Sequence, residues 1–254
     1  MANCTTTPQP APKPYIPNNG YHPDSSTTIA CLLTRYGIDV LVGVAITVII
    51  LVVLALWSDE RLVRIVLFAV AGFLVVFSLN FFRDPDRTPE TNGAAIKDVI
   101  ISPADGKVVL IKEVDESEFI KGRAQMISIF MSPLDVHVNR IPASGKVEYL
   151  RYVKGKFLVA SDEKAVSENE RQLIGITANG KKILFNQVTG YVARRIVCTL
   201  KVGDSVTVGT RFGMIKFGSR VDVYLPIGEA ISTLKVGDVV RAGESVIAQW
   251  QNAR

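Results

Sequence analysis

The chain has 254 residues, 48% of them apolar and 21% charged, with a formal net charge of +5. This apolar content excludes global disorder, because a chain so rich in Val, Ile and Leu can bury a core, and the length allows one or two domains. A mean hydropathy of +0.27 is high for a wholly soluble protein, so the excess must be concentrated somewhere.

Residues 1–28 are rich in Pro, Thr and Asn and read as a disordered or extended tail. Residues 29–82 then read as a membrane hairpin. Ile38 to Trp57 is an apolar run with Asp39 as its one charge, and after the polar break Ser58 to Arg61 a second run extends from Val63 to Phe82 with Arg64 near its start. Each is about 20 residues, enough at ~1.5 Å per residue to span roughly 30 Å of hydrocarbon. Neither segment has a polar stripe, which disfavours a buried hairpin of a soluble domain. A cleaved signal peptide fits poorly, because the first run is too long for an h-region and a second follows at once. A shallow re-entrant hairpin stays open. Basic residues nearly balance across the hairpin, with Arg35, Arg83 and Arg87 outside and Arg61 and Arg64 in its loop, so orientation is only weakly encoded. Arg83 and Arg87 are expected at the anionic membrane surface.

From residue 83 to 254 the chain changes to short β-branched runs separated by Gly, Asp-Gly, Asn-Gly and Pro turns, a strand-and-hairpin pattern. Ser161 to Leu173 is more polar and reads as a loop or short helix. TLKVGDSVTVGTRFG from Thr199 is echoed by TLKVGDVVRAGESVI from Thr233, 34 residues later. Lipoyl- and biotinyl-carrier barrels show such a pseudo-repeat, but their attachment lysine stands at a hairpin tip, whereas here the Lys precedes the Gly-Asp turn. The expected fold is mainly β, a compact β-barrel or sandwich with a lipoyl-carrier-like pseudo-repeat, preceded by the transmembrane helical hairpin.

The three cysteines, Cys4, Cys31 and Cys198, form neither a disulfide framework nor a metal-ligand spacing, which favours a reducing compartment. The positive charge suits a membrane surface. Nucleic acid is not expected, for there is no basic run of five or more and no aromatic–basic interleaving. His22 lies in the tail, which leaves His137 as the histidine of the β region, two residues after Asp135; on a strand the two would share a face. A lone histidine is more often structural than catalytic, and the Asp105–Gly106 pair is by itself an ordinary hairpin turn. No HExxH, CxxC, P-loop or GxGxxG is present. Spacing alone therefore gives a membrane-anchored β domain without an assigned activity.

The motifs together say more. FFRDPDR (Phe81 to Arg87), SPADGKV (Ser102 to Val108), MSPLDVHVNRIP (Met131 to Pro142), NER (Asn169 to Arg171) and FGSRVDVYLP (Phe217 to Pro226) occur in this order. They resemble the phosphatidylserine decarboxylase proenzymes, in the short branch with GSR at the processing site, over roughly residues 80 to 250. The resemblance implies self-cleavage between Gly218 and Ser219. It also implies conversion of Ser219 to a pyruvoyl cofactor, no metal, and a heterodimer of 1–218 and 219–254 open to further oligomerisation. The pyruvoyl group would form a Schiff base with the serine headgroup of a phospholipid and release CO₂, giving phosphatidylethanolamine. By the same resemblance Asp105 orients and charge-stabilises His137, which acts as acid/base toward Ser219 and as proton donor after decarboxylation.

The chain departs from the longer branch of that family at two positions. Arg140 stands where a second histidine occurs, and Arg220 where Ser or Thr follows the processed serine. Asp135, Arg140 and Arg220 are thus secondary candidates, the arginines as ligands of a lipid phosphate or carboxylate or as plain solvated surface residues. The implied location is the cell (inner) membrane with the catalytic domain on the cytoplasmic side. Two alternatives stand: a decarboxylase of another serine-headgroup lipid such as archaetidylserine, and a non-enzymatic membrane-anchored β-barrel that binds a partner or carries a group.

Overall fold

The computed structural model describes residues 33–91, 93–158, 165–191, 195–216 and 219–251. The tail 1–28, with His22 and Cys4, lies outside the described residues, as do Cys31 and Gly218. Two helices, α1 (Ile38–Trp57) and α2 (Arg61–Phe81), pack against each other as a hairpin, and both are long and apolar enough to cross a membrane. Their side chains face outward, with Ile49 63% and Val76 68% exposed. Such area is unfavourable in water and natural in hydrocarbon, where a helix satisfies its own backbone. The phenyl rings of Phe73, Phe77 and Phe81 stack one turn apart along α2 at 5.9 and 5.8 Å. At the base of the hairpin Phe81 and Phe82 are buried with Met214 of the β region, and Thr34 donates its backbone N–H to Phe82 O at 2.8 Å.

The rest of the chain is mainly β. In chain order the elements are β1 (Val99–Ile101), β2 (Gly106–Glu116), β3 (Gly122–Met131), β4 (Val138–Arg140), β5 (Gly145–Val153), the one-turn α3 (Ala165–Glu168), β6 (Arg171–Ala178), β7 (Lys181–Val188), β8 (Arg195–Cys198), β9 (Ser205–Val206), β10 (Arg211–Lys216), β11 (Ser219–Pro226), β12 (Ala230–Ile231), β13 (Val239–Val240) and β14 (Val246–Trp250). An eight-stranded sheet, ordered β13-β2-β3-β11-β7-β6-β5-β9, curls into a half-barrel, and two three-stranded sheets, β1-β14-β12 and β4-β10-β8, accompany it. The strand β11 lies near the centre and is buried throughout. Its alternation follows the two-residue period of a strand. Val221, Val223 and Leu225 enter the main core with Ile129, Ile174 and Phe185, while Tyr224 joins a second cluster with Phe119 and Leu184.

The expected pseudo-repeat is present and larger than the sequence echo. Each small sheet has the same order, β1-β14-β12 matching β4-β10-β8, and the two ends of the large sheet match as well, β13 on β2 and β9 on β5. The Gly203 and Gly237 turns share a left-handed backbone (φ +99° and +106°) and donate to Val147 O and Val108 O, each at 2.8 Å. Those acceptors lie in a second pair of matched segments, Pro103-Ala104-Asp105-Gly106-Lys107-Val108 and Pro142-Ala143-Ser144-Gly145-Lys146-Val147. Each glycine there passes so close to a neighbouring strand that a Cβ would fall 2.1 Å from Phe130 O or 2.2 Å from Thr177 O. One copy consists of β4 through β10. The other consists of β1 to β3 and β11 to β14, so the first is inserted into the second between β3 and β11.

This insertion has a defined location. In one copy β6 and β7 are joined by Asn179–Gly180, both in left-handed conformation (φ +52° and +77°), the signature of a tight type I′ hairpin. In the other copy β3 and β11 pair in the equivalent way, with Met131 opposite Ser219. Instead of a two-residue turn, residues 132–218 leave from Met131 and return at Ser219.

Candidate active site

Ser219, the first residue of β11, is fully buried, and its Oγ lies 3.3 Å from the Met131 sulfur. A thioether is a weak acceptor, so this hydroxyl is held by packing rather than by a committed hydrogen bond. The same sulfur meets Asn139 Nδ2 at 3.9 Å. The Asn139 Oδ1 accepts from Gln187 Nε2 at 2.9 Å, and the Gln187 Oε1 is buried without a hydrogen-bond partner among the described residues.

His137 is also fully buried, at the end of the loop that leaves Met131. Its Nδ1 lies 2.9 Å from the backbone carbonyl oxygen of Asp135. A carbonyl can only accept, so Nδ1 carries the proton and Nε2 presents a lone pair. That Nε2 is buried and has no hydrogen-bond partner among the described residues. Burial pushes the imidazole down to about 4, against weaker upward pulls from the Asp135 carbonyl and the Asp105 charge. The ring is therefore neutral at pH 7. Phe81, from the end of α2, lies against it with ring centroids 4.2 Å apart. The aromatic ladder of α2 thus ends on the histidine.

Asp105 is buried at the start of β2, where it accepts from Arg87 through both oxygens (Nη2 to Oδ2 2.8 Å) and from the backbone N–H of Ala242 at 2.8 Å. The carboxylate is committed to these donors rather than hydrogen-bonded to His137, and it acts on the imidazole through its charge. Arg87 is not at the membrane surface as expected. Its side chain is only 7% exposed, because a buried carboxylate needs a counter-ion in place of water.

Asp135 does not share a strand face with His137, because residues 132–137 form a loop before β4. Its carboxylate caps that loop by accepting from Ser132 N–H at 2.7 Å, and burial raises its pKa. The loop is tied to the hairpin by Arg83, which donates to Leu134 O at 2.8 Å, and Leu134 itself is exposed. Arg140 and Arg220 are buried and ion-paired rather than solvated. Arg140 is buried and donates to Asp84 Oδ1, Pro85 O and Gly209 O at 3.1, 2.7 and 3.0 Å. Arg220 is 1% exposed and ion-pairs with the fully buried Asp222 at 2.9 Å. Among the described residues no group of three His, Cys, Asp or Glu could hold a metal ion.

Sequence reasoning assigned no role here to Phe81, Arg87, Met131, Asn139 or Gln187. The first four lie inside the quoted motifs, which were the available signal. Gln187 lies in no motif and is placed by the β7–β11 register alone.

Comparison with known proteins agrees with this arrangement. The phosphatidylserine decarboxylase family model matches residues 74–248. A phosphatidylserine decarboxylase proenzyme of Chlorobium luteolum is 51% identical over 74% of this chain and 85% of its own length. Those of Chlorobium limicola and Salinibacter ruber are 44% identical over 86% of the chain and 100% of the relative, and 47% identical over 77% and 85%. Every element of the site, from Phe81 to Ala242, falls within the matched region, and the chain belongs to the phosphatidylserine decarboxylase family.

Proposed function

We propose that this decarboxylase matures by cutting itself between Gly218 and Ser219, and that it then acts on phosphatidylserine in the membrane that holds α1 and α2. The observation that carries this reading is the neutral, buried His137, whose Nε2 has no hydrogen-bond partner among the described residues, on the loop that leaves β3 at the hairpin end where Ser219 begins β11. In this mechanism Nε2 accepts the Ser219 hydroxyl proton as Oγ attacks the Gly218 carbonyl carbon. The C–N bond gives way to a C–O ester. Elimination across Ser219 breaks its Cβ–Oγ bond and frees residues 1–218 with a new carboxylate. Water then removes the nitrogen as ammonia and leaves a pyruvoyl cap on residues 219–254.

The surroundings of Ser219 fit such a group: the position is closed to solvent, apolar on the Met131 side, and has buried amides of Asn139 and Gln187 nearby. A pyruvoyl carbonyl supplies an acceptor for the substrate amine and a sink for the electrons released with CO₂. His137, once protonated, is the group that returns a proton to the substrate carbon, and the Asp105 carboxylate, held in place by Arg87, supplies the negative charge that favours the imidazolium when it forms. The two cleavage products stay together in this reading because β11, from the smaller chain, is paired on both sides by β3 and β7 of the larger one. Phosphatidylethanolamine is the product. A cytoplasmic catalytic domain on the cell (inner) membrane fits the free Cys198 thiol.

Intact mass of the purified protein tests this. Two chains are expected, 1–218 and 219–254, the smaller lighter by one ammonia than its serine form, and Ser219→Ala should remain one inactive chain. Activity in a single uncut chain would overturn the reading.

A further inference from the structure

The membrane hairpin touches the processing region at a second place, through charge. Asp39, in the first turn of α1, receives Lys216 Nζ on one carboxylate oxygen at 2.5 Å and Arg195 on the other at 2.7 Å. Lys216 and Arg195 are register partners at the ends of β10 and β8. Arg195 is largely exposed, but the Lys216 side chain is 4% exposed, and among the described residues Asp39 is the carboxylate with which it pairs. A buried ammonium without a counter-ion is strongly unfavourable, so Lys216 is fixed where Asp39 is. In sequence Lys216 stands two residues before Gly218. On the other side of the cut, Arg220 is fixed by Asp222 within β11 itself.

We propose that Asp39 is a positioning residue for self-cleavage: through Lys216 the membrane hairpin holds the strand that delivers the scissile peptide to Ser219. The inference rests on the self-cleavage reading above. It makes maturation depend on a docked first helix, so a chain whose hairpin is not seated stays a proenzyme. Asp39 touches neither substrate nor Ser219. Its contribution ends once the peptide is cut, because the upstream strand then no longer has to present a bond.

The test follows conversion of the full-length chain, synthesised into phospholipid vesicles, to its two products by mass and gel over time. Asp39→Asn should slow conversion at least tenfold in folded proenzyme, and Asp39→Glu should restore it to within about threefold of wild type. The fraction of Asp39→Asn that does mature should decarboxylate phosphatidylserine with a wild-type kcat. A purely structural role predicts instead that Asp39→Asn lowers the thermal midpoint and the yield while folded protein converts at the normal rate; that result overturns the inference, as does an Asp39→Glu no faster than Asp39→Asn. A wild-type chain that never converts overturns the self-cleavage reading and this inference with it, whereas a converting wild type matched by Asp39→Asn overturns this inference alone.

Discussion

The two copies of the β repeat share a backbone and differ in what covers and what opens them. At matched turns, Asp105 Oδ1 accepts from Ala242 N–H at 2.8 Å and Ser144 Oγ accepts from Val208 N–H at 3.0 Å. The hydrogen bond is the same and the side chain is not. Ser144 is exposed, whereas Asp105 is buried beneath the segment that follows α2, which brings Arg87 onto it and runs on to pair Glu90 N–H with Glu244 O at 2.9 Å. The hairpin ends differ in the same sense. Asn179–Gly180 closes β6 and β7, while the equivalent end of β3 and β11 is open, with His137 on the outgoing limb and Ser219 on the returning one. In the proposed mechanism, then, the chemistry lies at an opened turn of a symmetric frame rather than within the frame. A two-residue turn has no room for the histidine, buried serine and scissile bond of that proposal.

The largest expected effect comes from erasing that difference. Asp105→Ser makes the two turns alike and leaves Arg87 with Glu244 at 3.6 Å as its remaining carboxylate partner. It should reduce both self-cleavage and turnover by about 10²–10⁴-fold, the usual scale for loss of supported acid–base catalysis. The reciprocal Ser144→Asp, on an exposed turn, should leave both rates near wild type. Equal effects from the two substitutions, measured by cleavage time course and CO₂ release, would break the asymmetry argued here.

A second effect is tied to the open hairpin end. His137 has a folded-state pKa of about 4, below its ordinary 6.5. The stability associated with the neutral ring is therefore complete above pH 6.5 and is lost as pH falls from 6.5 towards 4, by about 3 kcal/mol in all. Thermal midpoints of Ser219→Ala proenzyme should fall steeply across that window, and adding His137→Gln should flatten the fall. An unchanged slope would mean that another group titrates there.

The smallest effect belongs to the plain copy. Ser144→Ala removes one exposed hydrogen bond to Val208 N–H and should lower stability by about 0.5–1 kcal/mol without altering activity. A larger loss in a denaturation series would show that the turn carries more of the frame than its exposure suggests.

Much of this was legible in sequence because it depends on local pattern. Continuous apolar runs identify α1 and α2, and short β-branched runs between Gly and Pro turns identify the β domain. The paired Lys-Val-Gly-Asp turns identify the repeat, and five ordered motifs identify the family. The matched Pro-Ala-x-Gly-Lys-Val segments were in plain view but carry meaning only when their hydrogen-bond partners are known. The arginines were the hardest to read. Nothing local distinguishes Arg87, Arg140 and Arg220 from surface residues, since a guanidinium is buried only when a carboxylate remote in sequence or hidden by the fold meets it, as Asp105, Asp84 and Asp222 do.

By itself the amino-acid sequence determined that the chain has a helical hairpin apolar enough to cross a membrane, a repeated β domain and the motifs of the phosphatidylserine decarboxylase family. These are encoded in hydropathy, turn chemistry and motif order, each readable within a few residues. The tertiary structure decided how the two copies differ. Only strand register places Ser219 opposite Met131, only packing sets Phe81 on His137 and so keeps the imidazole neutral, and only the docking of α1 brings Asp39 to Lys216. Those relations join residues far apart in the chain, and the desolvation and pairing that give them force do not exist until the chain has folded.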